Sequence, residues 1–297
     1  MYRNNSFHNF EHASHVLMSV AKLLSRIVAP TQNPARLDET ESSIASRLQH
    51  DHTFGITSDP LTQFACVFSA LIHDVDHPGI PNTELVTENT KLAALYGGKS
   101  VAEQNSVDLA WGLLSDDAFT ALRQTICPTN NERRQISAIG GKCGHGHGRY
   151  GSGLWRSLRN ARWERAFTHS IREGDGVNRK ATIVIEHLLQ ASDVAHTMQH
   201  WHVYRKWNER LFTEMYRAYE AGRSGSNPVT FWYTGELAFL DQYVLPLARK
   251  LKECGVFGVS SDECLNYAVR NRAEWERRGA EIVSRIQKKL AEETLGK

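Results

Sequence analysis

Residues 59–79 read DPLTQFACVFSALIHDVDHPG, a helix with its start, its buried face and its end written out. Asp59 is a capping residue, and Pro60 suits the first helical position because its missing N–H would go unpaired there anyway. Leu61, Phe64, Ala65, Phe68, Leu71 and Ile72 recur at three and four residues, the spacing of one helix face. Pro78 and Gly79 end the run. The helix therefore delivers His73 and Asp74 side by side at its C-terminal end.

The same periodicity governs the rest of the chain, and strand alternation is hard to find. Helices are expected over about Phe7 to Val28, Asn82 to Tyr96, Val101 to Leu114, Trp155 to Ile171, Arg179 to His200, Val203 to Ala221 and Phe231 to Cys254. A last one runs from about Ser261 to Glu293, where Ser260 and Glu263 make a capping-box signature. The expected fold class is all-α, a multi-helix bundle without internal repeats, forming a single domain over 1–297. Between Gly140 and Gly153 seven glycines interleave with Cys143, His145, His147 and Arg149. So many glycines make a helix entropically expensive, and 128–153 is expected to be a disordered insert. Its CGHGH tract lacks a partner cluster, which favours a flexible loop over a metal site.

At 297 residues, with 41% hydrophobic and 23% charged residues, the chain is long enough for a substantial core. A formal charge of +2 gives no basis for nucleic acid as a partner. Cys66, Cys127, Cys143, Cys254 and Cys264 are odd in number and lack C-x-x-C spacing, so a reducing, cytoplasmic setting is expected. The opening MYRNNSFHNF lacks the apolar core of a signal peptide, and no apolar run is long enough for a membrane segment.

Two further motifs join His73-Asp74. FHNFEH puts His8 and His12 four residues apart, one helical turn if both are helical, so that both address one cavity. LLQASDVAH supplies Asp193 from an apolar helix containing Ile183, Val184, Leu188 and Leu189. Taken singly, a histidine pair on an amphipathic helix is more often a surface or core-edge pair, and a lone aspartate a cap. Jointly, two histidines and a His-Asp on apolar helices form a nitrogen and oxygen set suited to a divalent metal, and a metal-dependent hydrolase is the leading reading.

These motifs resemble the catalytic domain of class I 3′,5′-cyclic-nucleotide phosphodiesterases. That family's pattern is an aromatic residue, then HNxxHA, then HDxxHxxxN, then a late aspartate. Here the matching residues are Phe7-His8-Asn9 with His12-Ala13, His73-Asp74-Val75-Asp76-His77 with Asn82, and Asp193. The opening YRNNSFHNFEH is close to the high-affinity cyclic-GMP type. LAALYGGKSVAEQ, VYRKWNERLFTEMY and GELAFLDQYVLPLA are similar to later family segments, and the similarity runs from Tyr2 to about Trp275, outside the glycine-rich stretch.

The resemblance implies cleavage of a cyclic nucleotide, cyclic AMP or cyclic GMP, at two divalent metal ions. His12, His73, Asp74 and Asp193 would hold zinc, and Asp74 would also reach magnesium or manganese. His8 would be the general acid, with His77 and Glu103 supporting the metal ligands. Nucleotide-binding residues would be His8, Asn9, Asp193, His196, Glu236 and Phe239, the last as the aromatic under the purine. Trp207 and Tyr233 would be structural.

The chain also departs from the family. Glu236 stands where the family has the glutamine that meets the purine edge, and His196 where it has asparagine. The family's Ala-Thr-Asp segment belongs between Leu122 and Leu158, so the second metal site is expected to be weakened. The chain starts almost at its metal motif, so the domain is expected to be incomplete at its N-terminus, part of a longer signalling protein. In such a parent it would lie on the cytosolic face of a membrane. Two other readings are a catalytically impaired homologue that binds nucleotide or a partner, and a His-Asp superfamily hydrolase of another phosphoester.

Overall fold

The computed structural model describes residues 1–27, 53–143, 162–163, 175–257 and 261–295. Among them the chain is helical, with no strand. The helices are α1 (Phe10–Ser25), α2 (Pro60–Ile72), α3 (Asn82–Glu88), α4 (Thr90–Leu95), α5 (Val101–Leu114), α6 (Thr120–Ile126) and α7 (Asn130–Cys143). They continue as α8 (Asp175–Asp193), α9 (Trp201–Glu220), α10 (Trp232–Phe239), α11 (Leu245–Glu253) and α12 (Ser261–Leu295). The segment expected over Trp155 to Ile171 lies almost wholly outside the described residues.

α2 forms as its sequence dictates. The Asp59 carboxylate accepts the Leu61 N–H at 3.0 Å and Pro60 opens the first turn. A cap of this kind is worth about 0.5–2 kcal/mol. Ala65, Cys66, Ala70 and Ile72 are buried on the face that meets the neighbouring helices. α2 packs against α1 and α7, and α8 closes the same group. α12 lies along α9, α10 and α11, and its Trp275 is fully buried with Tyr204, Phe212 and Phe257.

Several boundaries differ from expectation. The 128–153 stretch is not loop throughout, since α7 occupies Asn130–Cys143. Thr129 and Glu132 cap it reciprocally: the Glu132 carboxylate accepts the Thr129 N–H at 2.9 Å, and Thr129 Oγ1 accepts the Glu132 N–H at 3.3 Å. Ile136 and Ile139 are buried, and Gln135 donates to Asp59 of α2 at 2.7 Å. Cap and apolar contacts outweigh the glycine cost up to Gly140 and Gly141; residues 144–153, with the CGHGH histidines, lie outside the described residues.

The helix expected over Asn82 to Tyr96 is broken at Asn89, whose side chain caps α4 by accepting the Leu92 N–H. The one expected over Arg179 to His200 ends at Asp193 and passes into a 3₁₀ turn, Ala195–Met198. Between α10 and α11 lies a π-helical turn, Leu240–Val244, which widens what was expected to be one helix.

Candidate metal and proton-transfer site

His73 caps the end of α2, where its Nδ1–H donates to the Ala70 carbonyl at 2.8 Å. That bond leaves Nε2 to face Asp74 Oδ2 at 3.0 Å and Asp193 Oδ1 at 3.1 Å, where the two carboxylates favour a proton on it that a bound metal ion would replace. From α1, His12 Nε2 approaches Asp193 Oδ1 at 3.1 Å and Asp74 Oδ2 at 3.6 Å. Three helix segments thus converge: the start of α1, the C-terminal end of α2 and the last residue of α8. One ligand atom from each of His12, His73, Asp74 and Asp193 lies within 4.8 Å of the others.

The donor set fits a metal ion. Four ligands at about 2.1 Å in a tetrahedron stand about 3.4 Å apart, and the four histidine–carboxylate separations here run from 3.0 to 3.6 Å. Two largely buried carboxylates beside two imidazoles also leave an excess of negative charge that a divalent cation would balance. Burial opposes the charge on Asp74, but His73 and His8 outweigh it and hold the carboxyl far below the usual carboxylate range. Burial pushes His12 down, keeping it neutral as a ligand must be.

His8 behaves differently from the expectation of two histidines on one helix. α1 begins at Phe10, and Asn9 is its N-cap, its Oδ1 accepting the His12 N–H at 3.0 Å. Asn9 Nδ2 donates to Asn5 O at 2.8 Å, so both ends of its amide are engaged within the chain. His8 therefore precedes the helix, and its ring stacks on His77 with centroids 3.8 Å apart and planes 25° apart. Gly79 supports this corner: its φ of +72° is the left-handed conformation glycine tolerates, and an added Cβ would meet Asn5 Oδ1 at 3.3 Å.

Glu214 on α9 completes the corner. Its carboxylate accepts the backbone N–H groups of Phe7 at 2.7 Å and His8 at 3.0 Å, and bonds His8 Nδ1. Nothing in the sequence reading singled it out. The available signal is position: Glu214 lies seven residues from the buried Trp207, an acid on the core stripe of an amphipathic helix. Burial opposes a charge on Glu214, yet His8 pulls it down to about 2. Burial likewise opposes a charge on His8, but Glu214, Asp74 and Asp193 together raise it above the ordinary histidine value. His77, half-buried beside His8, is pushed down to about 3 by loss of solvation and stays neutral. His77 Nδ1 accepts the Gly79 N–H at 3.2 Å, so the neutral ring packs against His8 with that lone pair already engaged.

The remaining expected residues are dispersed around this centre. Glu103 is buried on α5 and accepts from Asn82 Nδ2 at 2.8 Å, while Asn82 Oδ1 accepts the Ala102 N–H. His196, in the turn after α8, is buried in an aromatic layer with Phe7, His12 and Trp207. Glu236 on α10 accepts the Tyr204 hydroxyl at 2.9 Å. Phe239 lies one turn further, stacked on Tyr243 at 5.3 Å and part-exposed. Trp207 is buried.

Residues 7–141 and 157–256 match the profile of the family described as 3′5′-cyclic nucleotide phosphodiesterase. The chain belongs to that family. It is 26% identical over 216 residues to a probable 3′,5′-cyclic-AMP phosphodiesterase pde-4 of Caenorhabditis elegans, covering 73% of this chain and 28% of the relative. It is 20% identical over 298 residues to the cGMP-specific 3′,5′-cGMP phosphodiesterase 3 of Dictyostelium discoideum, covering 94% of this chain and 54% of the relative. The chain thus spans from about a quarter to about half of these phosphodiesterases. Among solved structures, the phosphodiesterase domain of a RhoPDE fusion protein from Salpingoeca rosetta superimposes with a TM-score of 0.68 at 20% identity, covering 97% of this chain and 81% of that one. That likeness shows a common all-helical phosphodiesterase fold. Among the described residues no helix is long and apolar enough to cross a membrane.

Proposed function

We propose that this phosphodiesterase-family chain hydrolyses 3′,5′-cyclic nucleotides to nucleoside 5′-monophosphates, as the catalytic domain of a cytoplasmic signalling protein. The convergence of His12, His73, Asp74 and Asp193 beside a Glu214-held His8 carries the reading. Zinc on those four ligands, with magnesium or manganese sharing Asp74, would neutralise the phosphodiester and activate water at neutral pH. The chain's own contribution is proton control. His8 Nδ1 is tied to Glu214, so Nε2 is the ring atom left to protonate the departing 3′ oxygen. Glu214 favours the imidazolium that this step needs, and neutral His77 against the ring face fixes its direction. Glu103 and Asn82 hold the turn that follows His77.

On the nucleotide side, Phe239 would carry the purine and Glu236 would meet its edge. A carboxylate only accepts hydrogen bonds, and Tyr204 already donates to Oε1. Guanine offers donors at N1 and N2, whereas adenine pairs its N6 donor with an N1 lone pair that a carboxylate repels. Cyclic GMP is therefore expected to be favoured by about tenfold in kcat/KM, one charge-assisted bond's worth. Glu236→Gln should reduce that ratio towards one; equal ratios in the two proteins would remove Glu236 from base recognition.

The decisive assay supplies purified protein with Zn²⁺ and Mg²⁺, adds each cyclic nucleotide and follows the 5′-monophosphate. Binding without turnover would instead mark an impaired homologue. A magnesium titration tests the second ion. Between Leu122 and Leu158 the sequence has one acid, Glu132, which is engaged in capping α7 rather than in ordering water on magnesium. Half-saturation is expected in the millimolar range, about 10- to 100-fold weaker than a fully supported site. Saturation at micromolar Mg²⁺ would show that another acid substitutes.

A further inference from the structure

Gly279 lies inside α12, where a glycine costs helix stability relative to alanine, so a methyl group would be favoured there if it had room. It has none. A Cβ at this position would stand 2.8 Å from Trp275 Cε2 and 2.9 Å from Tyr233 Cδ2, against 3.4–4 Å for ordinary contact. The glycine is therefore the seat on which an aromatic ring of α12 and one of α10 close together.

Tyr233 ties α10 to this seat. The Trp275 Nε1–H donates to the Tyr233 carbonyl at 3.1 Å, and the Tyr233 hydroxyl donates to the Glu276 carbonyl at 3.0 Å. Glu236 follows Tyr233 by three residues, so the two are neighbours on the surface of α10. The Glu236 carboxylate accepts the Tyr204 hydroxyl at 2.9 Å, and the Tyr204 ring rests edge-on against Trp275 with centroids 5.9 Å apart. Both supports of Glu236 thus lead back to Trp275. With a methyl at 279, one ring must give by about 0.6 Å, the difference between 2.8 and 3.4 Å. Trp275 and Tyr204 are fully buried and have nowhere to go, whereas Tyr233 is part-exposed near the start of a short helix. α10 is the element that moves, and it carries Glu236 with it.

We infer that Gly279 is a positioning residue for the nucleotide-facing wall of α10: the absence of a side chain there sets where Glu236 meets the purine edge. The inference rests on the proposed role of Glu236 in base recognition and adds what fixes that carboxylate in place.

The test is steady-state kinetics of the full chain with cyclic GMP and cyclic AMP, with zinc content and thermal unfolding measured alongside. Gly279→Ala should raise KM for cyclic GMP about tenfold and bring the cyclic GMP to cyclic AMP ratio of kcat/KM towards one. Its kcat and zinc content should be kept, because binding is lost and the chemistry is not. Gly112→Ala is the control: Gly112 lies in α5 with nothing within 4 Å of an added Cβ, so both constants should stay as in wild type. Tyr233→Phe adds no bulk and removes only the hydroxyl tie to Glu276. It should move KM and the ratio in the same direction by about threefold, and it carries the test if Gly279→Ala does not fold. Unchanged KM and ratio in a folded Gly279→Ala or in Tyr233→Phe, or a loss confined to kcat, would overturn the inference while leaving the function in place. A wild-type chain that neither binds nor turns over either nucleotide would overturn the proposed function and this inference together.

Discussion

Asp74→Asn is expected to strip the site of metal and to slow cyclic-nucleotide hydrolysis by about 10³-fold or more. Asp74 Oδ2 stands 3.0 Å from His73 Nε2 and 3.6 Å from His12 Nε2, and Asp193 Oδ1 stands 3.1 Å from each, so both acids face both histidines, and Asp74 is the one proposed to reach a second ion as well. The amide preserves shape but removes one of the two negative charges that attract a dication. A thousandfold loss corresponds to about 4 kcal/mol, the several kcal/mol attributed to metal-assisted charge stabilisation. Elemental analysis of the variant beside its progress curves checks both halves. An asparagine variant that keeps its metal and reacts within tenfold of wild type would displace Asp74 from the centre of the chemistry.

The second large effect belongs to His8 and Glu214. His8→Gln should lower kcat by about 10²- to 10⁴-fold with zinc content unchanged, because the proton donor is lost and the ligands are not. Glu214→Gln should act through pH. The folded chain holds His8 above its ordinary value, so the imidazolium and the stability it brings are fully present below about pH 6.5 and fade as pH rises through the raised value. Glu214, drawn down to about 2, contributes above about pH 4.3 and loses that contribution as pH falls towards about 2. At neutral pH Glu214 is thus charged throughout, and removing its charge moves the alkaline limb of kcat towards acid. A limb that stays in place in Glu214→Gln would mean that another group supplies the proton.

Local signals in the sequence carried much of this architecture. α2 could be read because cap, apolar face and stop lie within one stretch, and α5 spans Val101–Leu114 as expected. The convergence of His12, His73, Asp74 and Asp193 was legible because chemistry restricts which residues can hold a dication. α7 was missed because a glycine-dense composition masked Ile136, Ile139 and the Thr129–Glu132 cap ahead of it. His8 was placed on the helix because spacing alone cannot reveal that Asn9 turns its side chain back to cap α1. Glu214 could not be paired with the opening motif by any local rule: the bond it accepts from Phe7 joins residues 207 apart in sequence.

The wide turn at Leu240–Val244 has a consequence for how this protein can change. It inserts one surplus residue between the helix bearing Glu236 and Phe239 and the helix anchored by Leu247, Ala248 and Leu251. In a regular α-helix, losing one residue turns everything beyond it by about 100°. Here the turn has a residue to spare and can tighten to ordinary α-helix, so Glu236 and Phe239 on one side and the anchoring side chains on the other keep their faces. This stretch is therefore the place where the helix tolerates a change of length that its neighbours do not.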